Sequence, residues 1–250
     1  MTAGLYDQVP ASMAPLPAPA TIMTIGAHPD DAEFGAGATI YNWTQAGANA
    51  TFVIATDGSM GSWDPSIERD DLVAQRRGEQ MAAAAILGVG SVAWLGQPDG
   101  ELRQTPGVRK AIVSLIRKHR PNIVLTHDPW QRYQLHPDHR ATGFLAIDAV
   151  VAAREPRFLP DQPFAAHRPS AVLLWSADHP DHAEPVGETA FKAKIEALLC
   201  HSSQSETTMG GAADSGEALE QFVGNIDGWL RAAGEPFGAD RAEAFKRLTP

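Results

Sequence analysis

One cysteine, Cys200, in 250 residues excludes an intramolecular disulfide framework and any thiolate-rich zinc site, so the fold must rest on its hydrophobic core. It also fits a reducing compartment. Positive charge is scarce: Lys plus Arg total 20 against 30 for Asp plus Glu, giving a formal net charge of -10. No basic stripe runs along any segment, which argues against nucleic acid and anionic membranes as partners. There is no span of ~20 apolar residues, and the leading MTAGLYDQVPASMAPLPAPA has neither a positive n-region nor an apolar h-region. A cytoplasmic protein without a membrane anchor is therefore expected. The first apolar run is not followed by the G-x-G-x-x-G turn, which excludes a dinucleotide site.

What is present is enough apolar material, 44% of the chain, for one sizeable α/β domain. We expect it to occupy residues 21–250 behind a Pro/Ala-rich arm, residues 1–20. Short β-branched runs (TIMTI, ATFVIAT, SVAWL, NIVLT, AVLLW) alternate with longer segments of helical apolar spacing, residues 33–45, 67–87, 106–119 and 137–154. Continuous apolar strands imply a sheet covered on both faces. The expected architecture is a Rossmann-like, doubly wound, mostly parallel sheet with helices on both faces. Beyond Trp175 the pattern weakens to helices at 189–200 and 217–233, joined by a Ser/Thr/Gly-rich surface loop.

Polar clusters follow four of the strands: AHPDD, DGSMG, GQPDGEL and HDPWQRYQLHPDH. In a doubly wound sheet these loops converge at the carboxyl edge, where sites form. In HPDD, a proline opens a helical turn, and His28 and Asp31, three residues apart, lie on one side of it and can share a metal. Asp30 points elsewhere and could reach a water on that metal; a solvated helix cap is the alternative. The stretch HPDHRATG, residues 136–143, repeats this grammar, and one of its histidines completes a two-His, one-carboxylate set with an open position, as catalytic zinc requires. Residues 178–182, DHPDH, have the same spacing. His139 leads into an amphipathic helix and His182 does not, so His139 is the expected ligand and His179 and His182 are read as solvated loop residues.

Together AHPDDAEFGAGATI, TDGSMG, AQRRGEQMAAAAILGV, LGQPDGEL, RPNIVLTHDPW, LHPDHRATG and KIEALLCHSSQ, collinear from about residue 21 to 204, resemble the PIG-L or LmbE-like deacetylases. That resemblance implies a zinc-dependent hydrolase that removes acetyl groups from N-acetylglucosamine-containing compounds. By residue, it implies zinc ligands at His28, Asp31 and His139, a general base at Asp30, an oxyanion-stabilising acid at His136, and Asp138 orienting that imidazole. It links Arg76 to substrate hydroxyls, with Glu79 three residues later, although an exposed ion pair explains both cheaply. His201 falls in its late H-x-S-Q motif, as a substrate contact or a packed helix end. Tyr133 stands near, but out of register with, a carbonyl-polarising tyrosine of some relatives.

Of six tryptophans, Trp63 and Trp130 lie in site loops where a ring could stack on a sugar, while Trp43, Trp94 and Trp175 are expected in the core. Specificity is expected in loops 61–66 and 158–169. The substrate is left open among a GlcNAc-inositol, a thiol-conjugate amide, a chitooligosaccharide and an antibiotic amino sugar; a homo-oligomer is possible. The competing classes are an amidase of thiol-sugar conjugates, a non-haem Fe(II) oxygenase, for which Fe2+ replaces Zn2+, and a non-catalytic metal or sugar-binding module.

Overall fold

The computed structural model describes residues 15–212 and 215–250, so most of the expected arm lies outside the described residues. Five strands alternate with four helices: β1 (Thr21–Gly26), α1 (Asp31–Gln45), β2 (Asn49–Thr56), α2 (Arg69–Ile86), β3 (Ser91–Gln97), α3 (Pro106–His119), β4 (Ile123–His127), α4 (Pro137–Ala153) and β5 (Ala171–Trp175). Then come β6 (His182–Pro185), α5 (Glu188–Leu199), α6 (Gly216–Gly234) and β7 (Ala242–Leu248). The sheet order is β3-β2-β1-β4-β5-β7-β6. The first five strands are parallel, with the change of winding direction between β1 and β4, where such sheets open a crevice. No helix among the described residues is long and apolar enough to cross a membrane.

Successive strand residues feed opposite cores, as a period of two demands. Ile22, Phe52, Leu125 and Leu173 pack under α1 and α2, whereas Met23, Val53, Val124 and Val172 pack under α3 and α4. Both faces are therefore covered, which is why these strands read as unbroken apolar runs. Trp43 and Trp175 join the first core. Trp94 departs from expectation: β3 is an edge strand, so its indole is only half-buried and lies under the Arg77 guanidinium at 5.2 Å.

The sheet does not end at β5. Two antiparallel strands, β7 against β5 and β6 against β7, extend it, and the second corrects the reading of residues 178–182. His182 is fully buried on β6, not in a solvated loop, with Nε2 2.6 Å from Glu184 Oε1; His179 is exposed.

β7 also stabilises the helix that carries the site. Helix α1 breaks at Ala36 (φ -153°, ψ 16°) between Gly35 and Gly37, which frees backbone groups mid-helix. Buried side chains take them: Glu243 of β7 accepts from Ala38 N (3.1 Å) and Thr39 N (2.8 Å), and Lys194 of α5 donates to the Phe34 carbonyl (2.6 Å). The two partners also meet each other at 2.6 Å. Gly35 lets this turn rest on the Trp175 ring, since a Cβ there would stand 2.5 Å from the indole. Lys194→Met leaves Glu243 charged and buried without its counter-ion, so the expected loss in urea unfolding is about 3–5 kcal/mol; a loss under about 1 kcal/mol would show that the backbone donors alone suffice.

Candidate active site

The carboxyl ends of β1 and β4 and the start of α4 bring four imidazoles into contact. Ring centroids of His28 and His136 are 4.6 Å apart, of His136 and His139 4.8 Å, and of His127 and His139 4.3 Å. Hydrogen bonds decide which nitrogen of each ring is available. The Trp175 indole N–H donates to His127 Nδ1 (3.0 Å), so that ring carries its proton on Nε2 and donates it to Asp31 Oδ2 (3.0 Å). Burial holds His127 below the ordinary histidine range, hence neutral. It orients Asp31, as carboxylate partners of metal ligands commonly require.

Asp31 Oδ2 also accepts from the backbone N–H of Ala27 (2.7 Å) and His28 (2.8 Å), which leaves Oδ1 to face His139 Nε2 at 3.3 Å. Burial opposes the Asp31 charge, but His139 and His127 outweigh it and hold the carboxyl well below its usual range. His28 Nδ1 lies 3.2 Å from His139 Nε2, while its Nε2 faces Asp99 Oδ1 at 3.0 Å and Asp138 Oδ2 at 3.4 Å. Burial disfavours the His28 cation, and Asp138, Asp31 and Asp99 overcome it, so the pKa stands well above the ordinary value. A metal would displace that proton.

His28, Asp31, His127, His136 and His139 fall into overlapping groups close enough to share one metal ion, and within them His139 Nε2 stands 3.2 Å from His28 Nδ1 and 3.3 Å from Asp31 Oδ1, nitrogen and carboxylate donors of the kind zinc takes. Bonds of about 2.0–2.1 Å to nitrogen and oxygen place tetrahedral donors about 3.3–3.4 Å apart. The residues present therefore fit a zinc ion.

Asp30 adjoins this set without joining it. It takes a left-handed conformation (φ 100°) that side chains rarely adopt, and α2 holds it there. Arg76 and Gln80, one helical turn apart, grip both ends of the Pro29–Asp30 peptide: Arg76 Nη2 donates to the Pro29 carbonyl (2.8 Å) and Gln80 Oε1 accepts from Asp30 N (3.1 Å). Gln80 is fixed in turn by Glu33 at 2.5 Å. Burial pushes the Asp30 carboxyl up to about 6, against the pull of Arg76 at 3.6 Å. Gln80→Leu keeps the shape but leaves the Asp30 amide unheld; kcat should fall about 10–100-fold with KM little changed, in a variant whose circular dichroism is that of the wild type. Unaltered kcat would show that Arg76 alone fixes the peptide.

Several expected roles are redistributed. Asp138 does not turn its carboxylate to His136: it accepts from Gly100 N (2.7 Å) and Leu102 N (3.1 Å), tying α4 to the loop after β3. Its backbone N–H is what meets His136 Nδ1, at 3.3 Å, because His136 caps α4. Burial, with His28 and His139 nearby, lowers the His136 pKa, so the ring is neutral and keeps its proton on Nε2. Arg76 and Glu79 are no exposed pair; both are buried, and Glu79 instead accepts from Ser203 N (2.8 Å) and the Ser202 hydroxyl (3.0 Å). His201 is fully buried, 3.7 Å from Glu33 behind Asp30, and does not line the cavity.

The cavity over these groups measures about 560 Å³. Trp63 lines it, but Trp130 and Tyr133 do not: Trp130 N donates to Asp128 and Arg132 N to Asp178, a turn that sends Trp130 outward onto Phe144. Gln131 and Gln134 take their place. Asp99, His127, Gln80 and Trp229 are site residues that the sequence reading passed over. Asp99 and His127 stood in the quoted post-strand loops and Gln80 in the quoted AQRRGEQ stretch, next to Glu79; Trp229 carries no motif.

A carboxylate and imidazole cluster at the carboxyl edge of a doubly wound sheet is the build of a metal-dependent hydrolase. The chain belongs to the PIG-L family, whose model, described as GlcNAc-PI de-N-acetylase, matches residues 23–150. Diacetylchitobiose deacetylase of Thermococcus kodakarensis is 39% identical over 186 residues, covering 73% of this chain and 69% of that protein. The probable N-acetyl-alpha-D-glucosaminyl L-malate deacetylase 2 of Bacillus anthracis is 29% identical over 197 residues, 74% of this chain and 82% of that one. Among solved structures, N,N'-diacetylchitobiose deacetylase from Pyrococcus horikoshii superposes with a TM-score of 0.83 at 31% identity, covering 92% of this chain and 84% of that one.

Proposed function

We propose that the protein hydrolyses the acetamide of an N-acetylglucosamine-containing small molecule, releasing acetate and a free amine, with zinc held by His28, Asp31 and His139. The observation that carries the reading is Asp30, a buried carboxyl poised at about 6 beside a donor set of zinc type at the floor of the same cavity. Zinc bound there supplies a Lewis acid that polarises the amide carbonyl and makes a water more acidic.

The chain's own groups do the rest. Asp30 takes a proton from the attacking water, a task suited to a carboxyl whose pKa lies near the working pH. The Nε2–H of neutral His136 donates to the oxygen on which charge develops. Asp30, now protonated, returns its proton to the departing amine. Asp99 and Asp138 keep the His28 ring turned so that Nδ1 faces the metal position.

The test is acetate release from N,N'-diacetylchitobiose by zinc-loaded protein, chelated protein and chelated protein given zinc again. Release that disappears with the metal and returns with it supports the reading. Equal release in all three arms would exclude a metal-dependent hydrolase.

A further inference from the structure

Helix α6 buries Phe222, Ile226 and Leu230 against α1 and α5 and Gly234 against the turn into β7, a single stripe at four-residue intervals. Trp229 lies next to that stripe but about 100° around the helix, and no core needs it: it is 63% exposed. Its indole instead lines the cavity that ends at Asp30. Trp63, from the loop between β2 and α2, lines the same cavity and is 69% exposed. The reacting groups lie deep by comparison, with His28 at 7%, Asp30 at 6% and Asp31 at 8%. Trp63 and Trp229 are the exposed aromatic residues of a lining whose reacting groups are buried, so they are the rings available to the part of a substrate that lies outside the floor.

Charge selects what that remainder is. The only lysine or arginine among the described lining residues is Arg76, and its terminal nitrogens donate to Gly58 and Pro29 carbonyls beside Asp30. The carboxyls of the wall, Asp30, Asp31 and Asp99, lie at the floor among the imidazoles, so no lysine or arginine of the described lining is free to pair an anionic substituent farther out. A neutral ring with an apolar C–H face suits two aromatic surfaces.

We propose that Trp63 and Trp229 form an outer subsite for a neutral ring, such as a second pyranose, attached to the N-acetylglucosamine unit. This rests on the deacetylase reading and names its substrate class: neutral, ring-extended glycosides rather than monosaccharides or acidic conjugates.

The experiment measures kcat/KM of the zinc-loaded full chain for N-acetylglucosamine, N,N'-diacetylchitobiose and N-acetylglucosaminyl malate. The disaccharide should be preferred over both others. Trp63→Ala and Trp229→Ala should each lower the disaccharide-to-monosaccharide ratio about tenfold, mainly through KM, with Trp229→Phe keeping most of it. Trp130→Ala, which removes an exposed aromatic outside the cavity, is the matched control. An unchanged ratio in both alanine variants overturns the subsite, including the case in which gel filtration shows that they alter association between copies. Preference for the malate conjugate overturns the neutral-ring assignment. Binding of the disaccharide, followed by tryptophan fluorescence, separates the two proposals. Binding that depends on Trp63 and Trp229 without any turnover keeps the subsite and removes the deacetylase; absence of binding by the wild type removes both.

Discussion

Asp30→Asn keeps its full complement of zinc and loses about 10³-fold or more in kcat. Removing a positioned general base costs on the order of 10²–10⁴, and the upper half of that range applies because Asp30 both takes and returns the proton. Asparagine isolates the proton from everything else the residue does. It tolerates a left-handed backbone far better than alanine, its amide N–H still meets Gln80 Oε1, and its side chain retains the volume beside Arg76. Three readouts on one preparation decide the matter: zinc per chain, melting temperature and acetate release. Zinc and melting temperature at wild-type values with turnover within tenfold would sink Asp30 as the base and leave water activation to the metal alone.

That residue also shows where sequence reading stops. The place of Asp30 in HPDD was legible, since a polar cluster right after an apolar strand has no packing reason to exist. The left-handed backbone that aims it was not, because the clamp comes from Arg76 and Gln80 on a helix about fifty residues away. The alternation of strands and helices up to Trp175 was legible for the same reason that it folds: each parallel strand is buried on both faces. β6 and β7 were not. β6 has only four residues, and β7, AEAFKRL, keeps charge inside because Glu243 is required at the α1 break. Side-chain orientation in the loops was the least legible layer. Trp63 enters the cavity and Trp130 leaves it, although both are aromatics in post-strand loops, and the difference lies in backbone hydrogen bonds to Asp128 and Asp178.

His139→Ala loses its zinc, falling to less than about a tenth of an ion per chain, and its activity with it. Without that imidazole only His28 Nδ1 and Asp31 Oδ1 remain of the three donors, and two protein ligands are fewer than a catalytic zinc site uses. His182→Ala keeps the zinc and loses stability instead. Its ring is buried against Glu184, and leaving that carboxylate short of a partner costs about 1–3 kcal/mol. Metal analysis and urea unfolding on the two variants therefore give opposite results from two copies of H-P-D-H. Zinc lost from folded His182→Ala, or kept by His139→Ala, would reverse the assignment. The reason for the opposition is local conformation. In the first copy the chain enters α4, where positions three apart share a face, and the His136 and His139 rings stack with centroids 4.8 Å apart. In the second copy residues 179–181 are irregular and the chain enters β6 only at His182, which turns His182 inward onto Glu184 and leaves His179 exposed, so the two rings are not brought together.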